Sequence, residues 1–93
     1  MSRSYTHTER SDNYMHILIE LTDRWRVILC KDCIQFIIQK RSVLPPNRGT
    51  WAGKRYCTTK MALIRDCSEL NLISRPKTRQ LLDHLPDSAS KLK

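Results

Sequence analysis

The chain has 93 residues, with 17 Lys and Arg against nine Asp and Glu, for a net charge of +8. That length supplies one hydrophobic core and excludes two well-packed domains, while 40% hydrophobic residues exclude a wholly disordered chain. With only Gly49 and Gly53 present, a glycine-rich phosphate loop is excluded as well.

Residues 1–13 are polar and show no periodic apolar face, which predicts a flexible arm. Arg3 and Arg10 lie within it. Tyr14 to Leu21 alternates, with Met15, Ile17, Ile19 and Leu21 on one face, and predicts a strand. Thr22-Asp23-Arg24 is a turn. Trp25 to Cys30 alternates again, Trp25, Val27 and Leu29 opposing Arg26, Ile28 and Cys30. Lys31-Asp32 is read as a two-residue loop. Cys33 to Arg41 continues the pattern, with Ile34, Phe36 and Ile38 facing one way and Gln35, Ile37 and Gln39 the other. These segments form a three-stranded antiparallel meander.

Ser42 to Thr50 reads as a loop, because Pro45-Pro46 cannot pair regularly. Thr50 to Cys57 is a candidate short edge strand. Thr58 or Thr59 then caps a helix at about 59–70, whose stripe is Leu63, Ile64, Cys67 and Leu70 and whose stop is Asn71. A shorter helix follows Ser74-Arg75-Pro76 with a stripe of Leu81, Leu82 and Leu85, and Pro86 ends it. The expected fold is α+β: a three-stranded sheet packed on one main helix, with a short C-terminal helix. One domain spans 14–86, and 87–93 is a flexible tail. The second sheet face is expected to be open to solvent.

The charge is unevenly placed. From Cys33 to Arg65 there is no acid, yet the segment holds Lys40, Arg41, Arg48, Lys54, Arg55, Lys60 and Arg65. Seven like charges repel one another, and a polyanion is the usual partner that neutralises such a stretch. Gln35 and Gln39 share a strand face, and Gln can contact adenine bidentately. Trp51 lies between Arg48 and Lys54, placed either to stack on a base or to clamp its loop on the sheet.

Cys30-Lys31-Asp32-Cys33 is a CxxC across a hairpin turn, which makes Cys30 and Cys33 weak zinc candidates. The other two thiols, Cys57 and Cys67, are not spaced as a second knuckle, and Cys67 belongs to the helix stripe. No cofactor is expected. No nucleophile–base pair stands out, and the acid-free stretch lacks the carboxylates that paired-acid hydrolysis or bound magnesium needs. The start lacks a signal-peptide apolar core, and no apolar run could span a bilayer. A cytoplasmic protein without membrane association is expected, its cysteines as thiols.

Trp25-Arg26-Val27, Gln35-Phe36-Ile37-Ile38-Gln39, Trp51-x-Gly53-x-x-Tyr56-Cys57-x-Thr59 and the ending Leu82 to Asp87 together resemble small uncharacterised proteins of alphaproteobacteria and their mobile elements. That resemblance covers about 25–87 and implies no activity. The order of elements, with Tyr56, Thr59 and Ala62 at the strand-to-helix junction, is similar to the DNA-binding domains at the N-termini of phage-type integrases and in AP2-like proteins. There a sheet enters the major groove and a helix braces it. The Pro-Pro loop and the lack of a catalytic domain depart from that pattern.

The expected function is that of a small nucleic-acid-binding accessory protein, DNA foremost, without catalysis. Arg26, Lys40, Arg41, Arg48, Lys54, Arg55 and Lys60 would meet phosphates, with Gln35, Gln39 and Trp51 nearer the bases. The alternative is a mobile-element protein that inhibits or adapts a host nucleoprotein complex, an anti-CRISPR being one kind. The apolar strand Cys33 to Arg41 would also serve for homodimerisation if it lay at an edge.

Overall fold

Alternating apolar strands must bury one face, and in this chain both faces are apolar enough to need cover. The structure, a computed structural model, describes residues 9–10, 14–42 and 50–92. The elements in chain order are β1 (Ile17–Glu20), β2 (Trp25–Leu29), β3 (Phe36–Arg41), β4 (Trp51–Cys57), α1 (Lys60–Glu69), α2 (Pro76–Asp83) and a terminal 3-10 helix (Ala89–Leu92). The class is α+β, as expected, but the antiparallel sheet has four strands in the order β1-β2-β3-β4. The candidate edge segment is a full seven-residue strand paired along β3. Because β3 lies between β2 and β4, neither of its edges is open to a second copy.

The main core lies between the sheet and the helices. Val27, Leu29, Phe36 and Ile38 point into it and meet Leu63, Cys67, Leu72 and Leu82. Each large side chain taken fully out of water contributes about 1.5–3 kcal/mol, which is why the alternation in β2 and β3 dictates which face turns inward. α1 packs against β3 and β4, and α2 packs against α1. Thr59 caps α1 by accepting a hydrogen bond from the Ala62 N–H at 3.2 Å. At the other end Asn71 takes φ of 58°. There the Leu72 N–H donates to the Cys67 carbonyl at 2.9 Å and the Asn71 N–H to that of Ser68 at 3.0 Å, closing the helix as a Schellman motif.

Three expectations are corrected by packing. In β1, Ile17 stands opposite Ile28 and Ile19 opposite Val27. The extra residue is a bulge, which breaks the period of two, so Ile17 joins the outer face and Ile19 and Leu21 the inner core. In α2 the buried residues are Thr78 and Leu82, and Leu81 is exposed. The segment after Asp87 is no free tail. Ser88 bridges Thr59, the Ala89 N–H donates to the Thr58 carbonyl at 3.0 Å, and Ala89 is buried.

Most of the second sheet face is covered, contrary to expectation. Ile28, Cys30 and Ile37 form a small cluster under Tyr14, whose hydroxyl donates to the Leu29 carbonyl at 2.7 Å. Burial, reinforced by the nearby Glu9 carboxylate, pushes the Tyr14 hydroxyl above its ordinary pKa. Among the described residues no helix is long and apolar enough to cross a membrane.

Candidate functional site

The outer face carries a polar layer next to that cluster. Arg26 Nε donates to Gln39 Oε1 at 2.7 Å. Arg26 Nη2 and Gln39 Nε2 both donate to the Glu9 carbonyl, at 3.0 and 2.8 Å. The Trp51 N–H donates to the Arg10 carbonyl at 3.1 Å, and Glu9 Oε2 accepts from the Lys31 N–H at 2.8 Å. The Arg26 and Arg41 guanidiniums lie 4.2 and 4.6 Å from the Trp51 ring centre, inside cation–π range.

Arg26 and Gln39 are each 2% exposed and Trp51 4%. At that burial the three side chains present little surface, whereas the sequence placed Arg26 and Gln39 on an open face. A buried guanidinium needs hydrogen bonds and a polarisable neighbour to offset desolvation; the Glu9 carbonyl, Gln39 and Trp51 supply them. These side chains hold the segment at Glu9–Arg10 across the sheet. That segment falls inside the stretch expected to be a flexible arm; residues 1–8 and 11–13 lie outside the described residues.

The acid-free stretch divides in space. Arg55 Nη1 reaches Asp66 at 3.3 Å and Glu69 at 3.1 Å. Arg65 reaches Asp66 at 3.4 Å. Lys60 donates to the Asp83 carbonyl at 3.1 Å and lies 3.9 Å from Asp87. These three cations are neutralised by acids from the helical half, so the expected phosphate contacts at Arg55 and Lys60 are engaged internally. Arg48 and the Pro-Pro loop lie outside the described residues.

The other described cations of that stretch lie on β3 and β4, two of them at one end of the sheet. Lys40 and Arg41 end β3, and the Arg41 N–H donates to the Arg24 carbonyl at 2.7 Å. Arg24 Nη1 reaches the Ser42 carbonyl at 3.5 Å, and Lys40 Nζ lies 5.4 Å from the Trp25 ring centre. Arg10 joins this corner through Trp51, and Lys54 lies further along β4. Arg10, Arg24, Lys40 and Lys54 are exposed, and among the described residues none of the four forms an ion pair with a carboxylate. Two of the four have an acid as chain neighbour: Asp23, exposed in the turn beside Arg24, and Glu9 beside Arg10, whose carboxylate accepts from the Lys31 N–H. Arg24 escaped the sequence reading. The signal for it was the meander register itself, which places the β1–β2 turn beside the end of β3.

The thiols are held as packing groups. Cys57 Sγ donates to Asp66 Oδ2 at 3.0 Å. Burial, reinforced by that carboxylate, pushes the Cys57 pKa up to about 12, and burial does the same for Cys67, also to about 12. Such thiols hold almost no thiolate at neutral pH and are poor nucleophiles. Asp66 itself lies below the usual carboxylate range, first because the Cys57 thiol donates to it and then because Arg65 and Arg55 surround it. In the CxxC turn the Cys33 N–H donates to the Cys30 carbonyl at 2.8 Å, with Cys33 at φ of 58°. Cys30 is buried in the outer-face cluster, where its Sγ accepts from the Ile34 N–H at 3.3 Å. Among the described residues no three His, Cys, Asp or Glu side chains converge to hold a metal ion. Gln35 is half-buried beside this turn.

No family model, curated protein or solved structure matches the chain. A functional reading therefore rests on the residues and their placement.

Proposed function

We propose that this is a small, non-catalytic nucleic-acid-binding accessory protein that holds the phosphate backbone at one end of its sheet. The observation that carries the reading is the cation corner: Arg10, Arg24, Lys40 and Lys54 exposed beside Arg41, without carboxylate partners among the described residues. Cations left without internal counter-charges attract polyanions and release counterions on binding. Arg26, Gln39 and Trp51 support this corner from beneath, and base-edge readout by them is not part of the reading. Binding is then governed by phosphate contacts, and sequence preference is weak. DNA is the first substrate to try, and the cytoplasm is the compartment in which such a partner is met. Fluorescence anisotropy with labelled duplex DNA, single-stranded DNA and RNA over a salt series tests the proposal. Affinity that rises steeply as salt falls supports it, and no binding of any of the three at low salt removes it.

A second reading has one specific observation behind it. Met61 is 83% exposed on the wall of a groove of about 560 Å³ between α1 and α2, lined also by Ile64, Ile73, Arg65 and Arg79. An exposed apolar groove of this kind suits an amphipathic segment of another protein, as an inhibitor or adaptor of a nucleoprotein complex would use. Pull-down from a bacterial lysate with and without nuclease separates the readings. A protein partner retained after nuclease treatment favours the second.

A further inference from the structure

We infer that Tyr56 is a stacking platform for an unpaired base, so that the nucleic acid held along β4 is single-stranded; this rests on the polyanion reading above. Tyr56 stands opposite Ile37 on the outer sheet face. Its neighbours on that face, Arg26, Ile28, Ile37, Gln39 and Trp51, are buried, whereas Tyr56 is 59% exposed. An aromatic ring left that open beside a covered face gives up apolar burial that the fold obtains at the positions around it.

The ring is not free to wander. A Cβ placed on Gly53 would lie 2.3 Å from the Tyr56 hydroxyl oxygen, 2.7 Å from its Cζ and 3.3 Å from Ile37 Cγ2. The phenol tip therefore occupies the space that any side chain at position 53 would fill. Glycine in a strand interior commonly marks such a close approach. The ring is seated on the strand before any ligand arrives, and a pre-seated ring loses little side-chain entropy on binding.

The surroundings suit one nucleotide beside another. Lys54 is exposed two residues before Tyr56, about 6.6 Å along an extended strand. Beyond Lys54, towards the start of β4, lie Ala52 opposite Lys40 and Trp51 opposite Arg41. Lys40 shares the inner face with Trp25, so a strand of nucleic acid following β4 on the outer face would meet Lys54 for a phosphate and then a π-face for a base. Duplex DNA offers no such face, because its bases are stacked on each other; a single strand does, and aromatic stacking tolerates any base.

The test is anisotropy at low salt with two labelled probes of equal length, oligo-dT and an abasic oligonucleotide that keeps the sugar–phosphate backbone. Tyr56→Ala is expected to weaken oligo-dT binding about tenfold and to leave the abasic probe unchanged, while Tyr56→Phe keeps the wild-type preference. Tyr56→Leu preserves bulk without the π-system and gives the same comparison should the alanine variant fold poorly. If Tyr56→Ala and Tyr56→Leu bind oligo-dT like the wild type, or weaken both probes equally, the platform is refuted while the polyanion reading stands. If the wild type binds neither probe, the platform is refuted, and the polyanion reading falls with it only if duplex DNA and RNA also fail to bind at low salt.

Discussion

Arg26→Met separates the two roles open to this arginine. Methionine keeps much of the stem and deletes the guanidinium. The variant loses the 2.7 Å bond to Gln39, the 3.0 Å bond to the Glu9 carbonyl and the 4.2 Å stacking on Trp51. Hydrogen bonds to a charged group contribute about 1.5–3 kcal/mol each, and an orphaned buried acceptor costs about 1–3 kcal/mol. Relief from burying a charge offsets part of this, leaving an expected net loss of about 2–4 kcal/mol. In a domain of this size each 1 kcal/mol moves the melting temperature by roughly 4–8 °C, so the drop is on the order of 10–25 °C. Urea unfolding followed by tryptophan fluorescence measures it. A cycle with Gln39→Leu should return a coupling of about 0.5–3 kcal/mol, as for residues in direct contact. Arg26→Met with wild-type stability and weakened DNA affinity would refute the placement of Arg26 beneath the Glu9–Arg10 segment.

Asp66→Asn should lower stability at pH 7 by about 1.5–3 kcal/mol, through weaker bonds from Cys57 and from the partly solvated Arg55 and Arg65. Because the folded-state pKa of Asp66 is depressed, its contribution is fully present above the unfolded carboxylate range and disappears as pH falls through the folded value. The wild type and variant should therefore converge on acidification, and a stability gap that stays constant from neutral to acid pH contradicts this. Asn71→Gly should stabilise the fold by roughly 0.5–1 kcal/mol, because glycine adopts the left-handed conformation seen there without a Cβ penalty. A lower unfolding midpoint in that variant would count against the helix ending described.

Much of the architecture was legible because the sheet obeys a period of two. Alternation in β2 and β3 assigned Val27, Leu29, Phe36 and Ile38 to one face and Ile28 and Ile37 to the other, which is how they pack. The caps at Thr59 and Asn71 were legible because their chemistry is local. What failed was non-local. The bulge between Ile17 and Ile19 shows no marker residue. Arg26 and Gln39 were placed on the correct face but taken as exposed, because their cover comes from Glu9, 17 and 30 residues away in sequence and without periodicity. Likewise the acid-free stretch was read as one positive surface. The fold brings Asp66 and Glu69 back across 11 and 14 residues to Arg55, while among the described residues Lys40 and Lys54 keep no carboxylate partner.

That remaining excess is the premise of the proposed function, and the salt dependence of binding measures it most directly. Each phosphate contact contributes about −0.9 to the slope of log affinity against log salt on duplex DNA and about −0.7 on a single strand. Lys40→Ala/Lys54→Ala should flatten the wild-type slope by roughly 1.4–1.8, while Arg65→Ala/Arg79→Ala, which removes two cations already paired with Asp66 and Asp83, should leave it in place. An unchanged slope in the lysine variant, or equal flattening in both variants, would contradict a phosphate-binding corner at the sheet end.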